Sequence, residues 1–280
     1  MNTTALASTA LAAALTLASC GASHDAATPD GAVLASVAAL RSNDVPAFVE
    51  STFTADQIAQ MRGTWGVEMM ESPDPKEAAK FKKTMVMLTA EGAEDILMAL
   101  AEPQLAEMKP QMDMLMGMLE ASAGSAVAQN DELTSLEKDQ AQKALTAVVS
   151  TLRKNDVTDP ARLRKAIGIV CKTARKSGIT SVEDVRALRY EQALGKGSLA
   201  LSMAKDVLEV YGFSIDDVLD SVTARTVSQS GKDATVELAY TLLGTTHTQT
   251  AEMVLVAGRW VAKREVEEPE MLQSGLSLGN

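Results

Sequence analysis

Thr235-Val236-Glu237-Leu238-Ala239-Tyr240-Thr241-Leu242 is the stretch that decides the fold class. Successive side chains of an extended chain point to opposite faces, so Val236, Leu238, Tyr240 and Leu242 share one face. Thr235, Glu237, Ala239 and Thr241 share the other, and this alternation predicts a half-buried strand. Ser230-Gly231-Lys232-Asp233 turns the chain before the strand, and Gly244-Thr245-Thr246-His247 turns it afterwards. A further strand, near Gln249 to Val256, meets Arg259 to Val266 across Ala257-Gly258, a hairpin signal. Upstream of Ser221 the period is helical from Val33 to about Leu219. The expected fold is therefore α+β. A helical body of six to eight helices over 33–220 is followed by, and packed on, an antiparallel meander of about four strands over 221–268. Residues 269–280, with Pro269 and two glycines, are expected to be a loose tail.

Helix ends support this division. Thr54-Ala55-Asp56-Gln57, Thr180-Ser181-Val182-Glu183 and Ser214-Ile215-Asp216-Asp217 match capping boxes. Asp159-Pro160 reads as an N-cap followed by proline at the first helical position, with Gly178 as the stop. Ala35 to Val45 aligns with Ala147 to Val157 at seven of eleven positions. Either helix ends repeat Leu-Arg-x-Asn-Asp-Val by compositional preference, or the helical body contains a duplicated unit.

Residues Thr4 to Ser19 carry no charge, and their apolar core is too short for a membrane span, which needs about 20 residues. With Leu17-Ala18-Ser19-Cys20 at its end, this leader resembles a bacterial lipoprotein signal closing in a lipobox. Met1-Asn2-Thr3-Thr4 departs from the pattern in having no Lys or Arg, so either the terminal amine serves or the true start lies upstream. The resemblance implies a signal peptide over 1–19, a diacylglyceryl thioether on Cys20, cleavage before it, and acylation (palmitate) of the new amine. Two or three acyl chains, at about 0.8 kcal/mol per buried CH₂, anchor stably. By the same resemblance, Gly21 in place of Asp after the cysteine implies the outer membrane of a Gram-negative envelope, facing the periplasm. Residues 20–32 then read as a tether whose twelve links reach at most about 40 Å.

The whole chain has 46% hydrophobic and 22% charged residues, a globular balance, with only 3% aromatics but 15 Met. A net charge of −11 argues against nucleic acid as a partner. With Cys20 carrying lipid, Cys171 has no disulfide partner and sits in an apolar run, Ala166 to Cys171, as a small buried hydrophobe. His24 and His247 are the only histidines after the leader, which leaves little for a thiol nucleophile.

Two clusters carry candidate chemistry. Met112, Met114, Met116 and Met118 alternate, and soft thioethers suit Cu(I). At about 100° per residue, however, Met112 and Met116 oppose Met114 and Met118. A helix apolar all round, buried in a bundle with Met as filler, explains the same residues. The second cluster is the helix from Pro160 to Ser177. It carries Arg162, Arg164, Lys165, Lys172, Arg175 and Lys176 and no acid, so the rest of the chain holds −17. These six are a candidate surface contact for anionic headgroups or an acidic partner, against the alternative that the chain's own carboxylates pair with them.

Other matches are weak. Ser202-Met203-Ala204-Lys205 fits S-x-x-K, but Lys176-Ser177-Gly178 precedes it, and no S-x-N element lies between. Gly195-Lys196-Gly197-Ser198 lacks the first glycine of a phosphate loop. Asp216, Asp217 and Asp220 open a helix, where the dipole favours acids. No enzyme activity and no cofactor are expected.

The strand Ala234 to Leu242, the strand near Gln249 to Val256, and Val256-Ala257-Gly258-Arg259-Trp260 resemble the sheet of NTF2-like and cystatin-like envelope domains. The chain as a whole resembles uncharacterised Gram-negative lipoproteins with a helix-then-meander plan. The expected role is a non-enzymatic, lipid-anchored module that binds an envelope protein or component. The alternatives are small-molecule binding between helices and sheet, and Cu(I) binding by the Met cluster.

Overall fold

The computed structural model describes residues 26–68, 74–130 and 134–267; the leader, Cys20 and the tail 269–280 lie outside them. Ahead of the sheet run α1 (Pro29–Arg41), α2 (Val45–Thr52), α3 (Ala55–Glu68), α4 (Pro75–Thr89) and α5 (Ala93–Met108). A single 3₁₀ turn (Lys109–Gln111) leads to α6 (Met112–Gln129), α7 (Ser135–Lys154), α8 (Pro160–Ser177), α9 (Val182–Arg186), α10 (Tyr190–Val210) and α11 (Ile215–Asp220). The sheet comprises β1 (Thr223–Ser230), β2 (Asp233–Leu242), β3 (Thr245–Val256) and β4 (Arg259–Ala262), followed by α12 (Lys263–Glu267). The protein is α+β, with helices followed by a four-stranded antiparallel meander in the order β1-β2-β3-β4. The helices outnumber the six to eight expected, partly because α9 and α11 are one-turn pieces that leave too little apolar periodicity to read.

The alternation over 235–242 becomes the central strand. Ala234 lies opposite Met253, Val236 opposite Ala251, Leu238 opposite Gln249 and Tyr240 opposite His247. Ala234, Val236, Met253 and Trp260 are buried with Ala32 of α1, which covers this face of the sheet, and Leu238, Ala251 and Leu255 pack around them. Thr245 to His247 belong to β3 and not to the turn, which is made by Leu243 (φ 50°) and Gly244 (φ 81°). The last strand ends at Ala262, short of the expected Val266, and continues directly as α12.

The helical body begins at Pro29 and not at Val33. Thr28 caps α1 by accepting a hydrogen bond from the Gly31 amide, Pro29 takes the first helical position, and Asp30 accepts one from the Thr226 hydroxyl at 3.0 Å. Thr54 and Gln57 form the expected reciprocal capping box, and Ser214 caps α11. In α9 the box is shifted by one residue: Ser181 is the cap and Asp184 its partner, while Thr180 donates its amide and hydroxyl to Asp184 from outside. Asp159 and Gly178 bound α8 as expected, Gly178 with φ 67°.

α8 lies at the centre of the helical body, packed on α10, α5 and α4. Ala166, Cys171 and Ala174 are its buried residues, small enough to let those neighbours approach closely. The two similar segments each end a helix, but their surroundings differ. α1 packs closely along α2, and the left-handed residue after the helix is Asn43 (φ 57°) in one segment and Asp156 (φ 40°) in the other, one position apart in the alignment.

Candidate functional site

The sequence-identified groups are distributed very differently from one another. Cys20 lies outside the described residues. Of the six bases of α8, the arginines are engaged within the protein. Arg162 donates to the Val210 carbonyl at 2.6 Å, closing the end of α10, and lies 3.8 Å from Asp159. Arg164 meets Asp95 at 2.6 Å, and Arg175 meets Glu94. The Arg175 guanidinium holds the Glu94 carboxyl below its usual range. These pairs bind α8 to α5 and leave no arginine free for a partner. Lys165, Lys172 and Lys176 are exposed, and no ion pair joins them to another described residue. Spaced at i, i+7 and i+11, they form one thin stripe.

The Met helix departs furthest from expectation. α6 is not buried in a bundle: none of its residues is fully buried, and it packs on α7 and the 3₁₀ turn and on little else. The wheel itself holds. Met112 and Met116 are half-buried, while Met114 and Met118 stand 59% and 62% exposed, with Leu115 and Leu119 beside them. α7 contains no Met, His or Cys, so the inner pair meets no third soft ligand. Among the described residues no cluster of three His, Cys, Asp or Glu is placed to hold a metal.

Met108, Lys109, Gln111 and Met112, on either side of and within the 3₁₀ turn, keep dihedrals in or near the right-handed helical region. α5, the turn and α6 therefore form one interrupted rod over residues 93–129, about 55 Å long at 1.5 Å per residue. Pro110 lies in the 3₁₀ turn that interrupts it, while Pro103 sits inside α5 without ending the helix. Eleven large hydrophobic residues are exposed among those described. Seven of them lie on this rod: Ile96, Leu100, Met108, Met114, Leu115, Met118 and Leu119. Ile96, Leu100 and Pro103 follow i, i+4, i+7 on α5. Met114 and Met118 carry a similar stripe along α6, offset by roughly 60° through the tighter winding of the 3₁₀ turn.

A second feature is a half-open recess of about 460 Å³ between α1, α11 and β1. Leu34, Val37, Ala38, Leu219, Val222 and Ala224 form its apolar wall. At its rim Arg41 bridges Asp216 (3.1 Å) and Asp220 (2.7 Å). Behind this pair lies Lys205, only 6% exposed, whose ammonium donates to the Leu40 carbonyl at 2.6 Å and to Asp216 at 2.7 Å. The S-x-x-K match thus places its lysine in a joint between α10, α1 and α11, a role that no local pattern announces.

Cys171 is free and fully buried, and burial raises its thiol pKa, with the Glu94 charge adding to the effect. His247 is 4% exposed, stacks on Tyr240 at 5.4 Å between ring centroids, and has Nε2 without a hydrogen-bond partner. No hydrogen bond links the two residues. No helix among the described residues is long and apolar enough to cross a membrane. Comparison with protein-family models, with curated proteins and with solved structures finds no match to this chain.

Proposed function

We propose that the protein is a lipid-anchored lipoprotein of the cell envelope, tethered through Cys20 and facing the periplasm, which binds a partner protein and catalyses no reaction itself. The observation that carries the binding role is the concentration of seven of eleven exposed large hydrophobic residues on the α5–α6 rod. An apolar surface of that kind on a soluble domain marks an interaction site. The lipobox resemblance supports the anchor and the compartment.

The test is a photo-crosslinker placed at Met118 in living cells, with exposed Thr248 on the sheet as control. The reading requires a discrete partner adduct at Met118 and none at Thr248. Equal labelling at both positions, or none at either, would refute it. For the anchor, Cys20→Ala is expected to release the protein from the membrane fraction.

A second reading is small-molecule binding in the recess beside Arg41, whose volume lies within the roughly 300–1,000 Å³ of ligand pockets. Leu219→Trp, which fills that recess, is the variant that separates the two.

A further inference from the structure

The charges bordering the apolar rod say more about what covers it. Residues 93–129 contain six acids and a single base. The base, Lys109, is held by Asp156 at 3.3 Å, and Glu94, Asp95 and Glu120 are held by Arg175, Arg164 and Arg153. Glu102, Glu107 and Asp113 remain, exposed and with no salt bridge, although Glu102 is near enough to Arg164 to feel its charge. On α6 the outward positions from Met114 to Ala126 bear no charge at all. The rod thus presents Met, Leu and Ile side chains flanked by carboxylates outside any salt bridge, with no unpaired cation of its own.

Resting on the docking role proposed above, we infer that the partner segment is a cationic amphipathic helix, its apolar face laid along Met114, Leu115, Met118 and Leu119 and its lysines or arginines set against Glu102, Glu107 and Asp113. Two chemical features favour that occupant. Methionine is unbranched and polarizable, so a Met-rich surface repacks around helices of differing sequence. The flanking carboxylates attract a basic border and repel an acidic one, which selects the charge of the helix and its orientation. A second copy of the same rod brings Glu107 and Asp113 against their own kind. An anionic lipid surface meets the same repulsion.

The experiment uses the full chain in nanodiscs of zwitterionic phosphatidylcholine, with empty nanodiscs as blank. The probes are three dye-labelled peptides of about five helical turns. In the first, Leu fills one face and Lys borders it; the second replaces Lys by Glu; the third scrambles the first. Anisotropy titration is expected to show saturable binding of the first alone, at least tenfold tighter than either control. Met114→Gln/Met118→Gln, both exposed and close to Met in helix propensity, is expected to weaken binding at least tenfold with unchanged helical circular dichroism. Glu102→Gln/Glu107→Gln/Asp113→Asn is expected to weaken it several-fold and to flatten its salt dependence.

Equal affinity for the Lys and Glu peptides, or binding untouched by the Met substitutions, overturns the inference. So does binding of anionic vesicles through the rod, or self-association abolished by Met114→Gln/Met118→Gln. In that last case the cross-link at Met118 joins two copies of the chain. A Met118 cross-link to a distinct protein without peptide binding leaves the docking role standing and removes only the cationic helix; loss of the cross-link removes both.

Discussion

Lys205→Met removes the buried ammonium at the joint of α1, α10 and α11 while keeping the length and most of the volume of the side chain. Three charge-assisted hydrogen bonds are lost, to the Leu40 carbonyl at 2.6 Å, to Asp216 at 2.7 Å and, more weakly, to the Arg41 carbonyl at 3.4 Å. Each such bond is worth about 1.5–3 kcal/mol, and breaking a fully buried pair from one side costs about 3–5 kcal/mol. The structure reduces those figures in two ways. Asp216 is 36% exposed and keeps Arg41 at 3.1 Å, and the Leu40 carbonyl still accepts from the Asn43 amide at 3.1 Å. The expected loss is therefore about 2–3 kcal/mol, read by urea denaturation followed by far-ultraviolet circular dichroism. For a domain of this size that corresponds to a melting temperature lower by roughly 4–12 °C. Asp216→Asn should cost less, and the double variant less than the sum of the two, with a coupling of about 1 kcal/mol. A loss below about 0.5 kcal/mol for Lys205→Met would show that the ammonium contributes no more than an exposed surface charge, and would refute the joint.

Three further outcomes follow from individual contacts. Gly212 has φ 87°, and a Cβ there would lie 2.3 Å from Asn155 Nδ2. Gly212→Ala should thus cost about 1–3 kcal/mol by denaturant titration, as strain and loss of the Asn155 bond to the Thr151 carbonyl combine. Cys171 should resist maleimide in the native protein and react on unfolding; rapid native labelling would contradict its burial. The Asp184, Glu94 and Asp156 carboxyls are held below their usual range, chiefly by the Thr180 hydroxyl, the Arg175 guanidinium and the Thr158 hydroxyl respectively. A depressed folded pKa favours the native state above the unfolded value and loses that contribution as pH falls through the folded one. Thermal stability should therefore fall below about pH 4, and Glu94→Gln/Asp156→Asn/Asp184→Asn should show a shallower acid limb.

The parts of this fold legible in the sequence are those fixed locally. Val236 to Leu242 alternate because one sheet face is covered, and Thr54, Asp159, Gly178 and Ser214 mark helix ends through bonds to residues two to four positions away. Thr28-Pro29-Asp30 carried an equally local helix start, but its position next to the tether disguised it. Burial was not legible where it depends on distant partners. The wheel divides Met112 and Met116 from Met114 and Met118 correctly, yet nothing near α6 in sequence tells that only one side of it has a neighbour. The role of Lys205 likewise needs Leu40, far upstream, and is invisible to any motif.

α1 lies against the sheet, with Ala32 buried among Val236, Met253 and Trp260, and Asp30 bonded to Thr226. The first helix of the described chain is thus locked to its last strands, across nearly the full length of the polypeptide. This core cannot close until Trp260 is present, so the sheet face is completed only once nearly the whole chain is available. Contacts of such high sequence separation form slowly compared with local helices, which makes closure of this face a late step of folding.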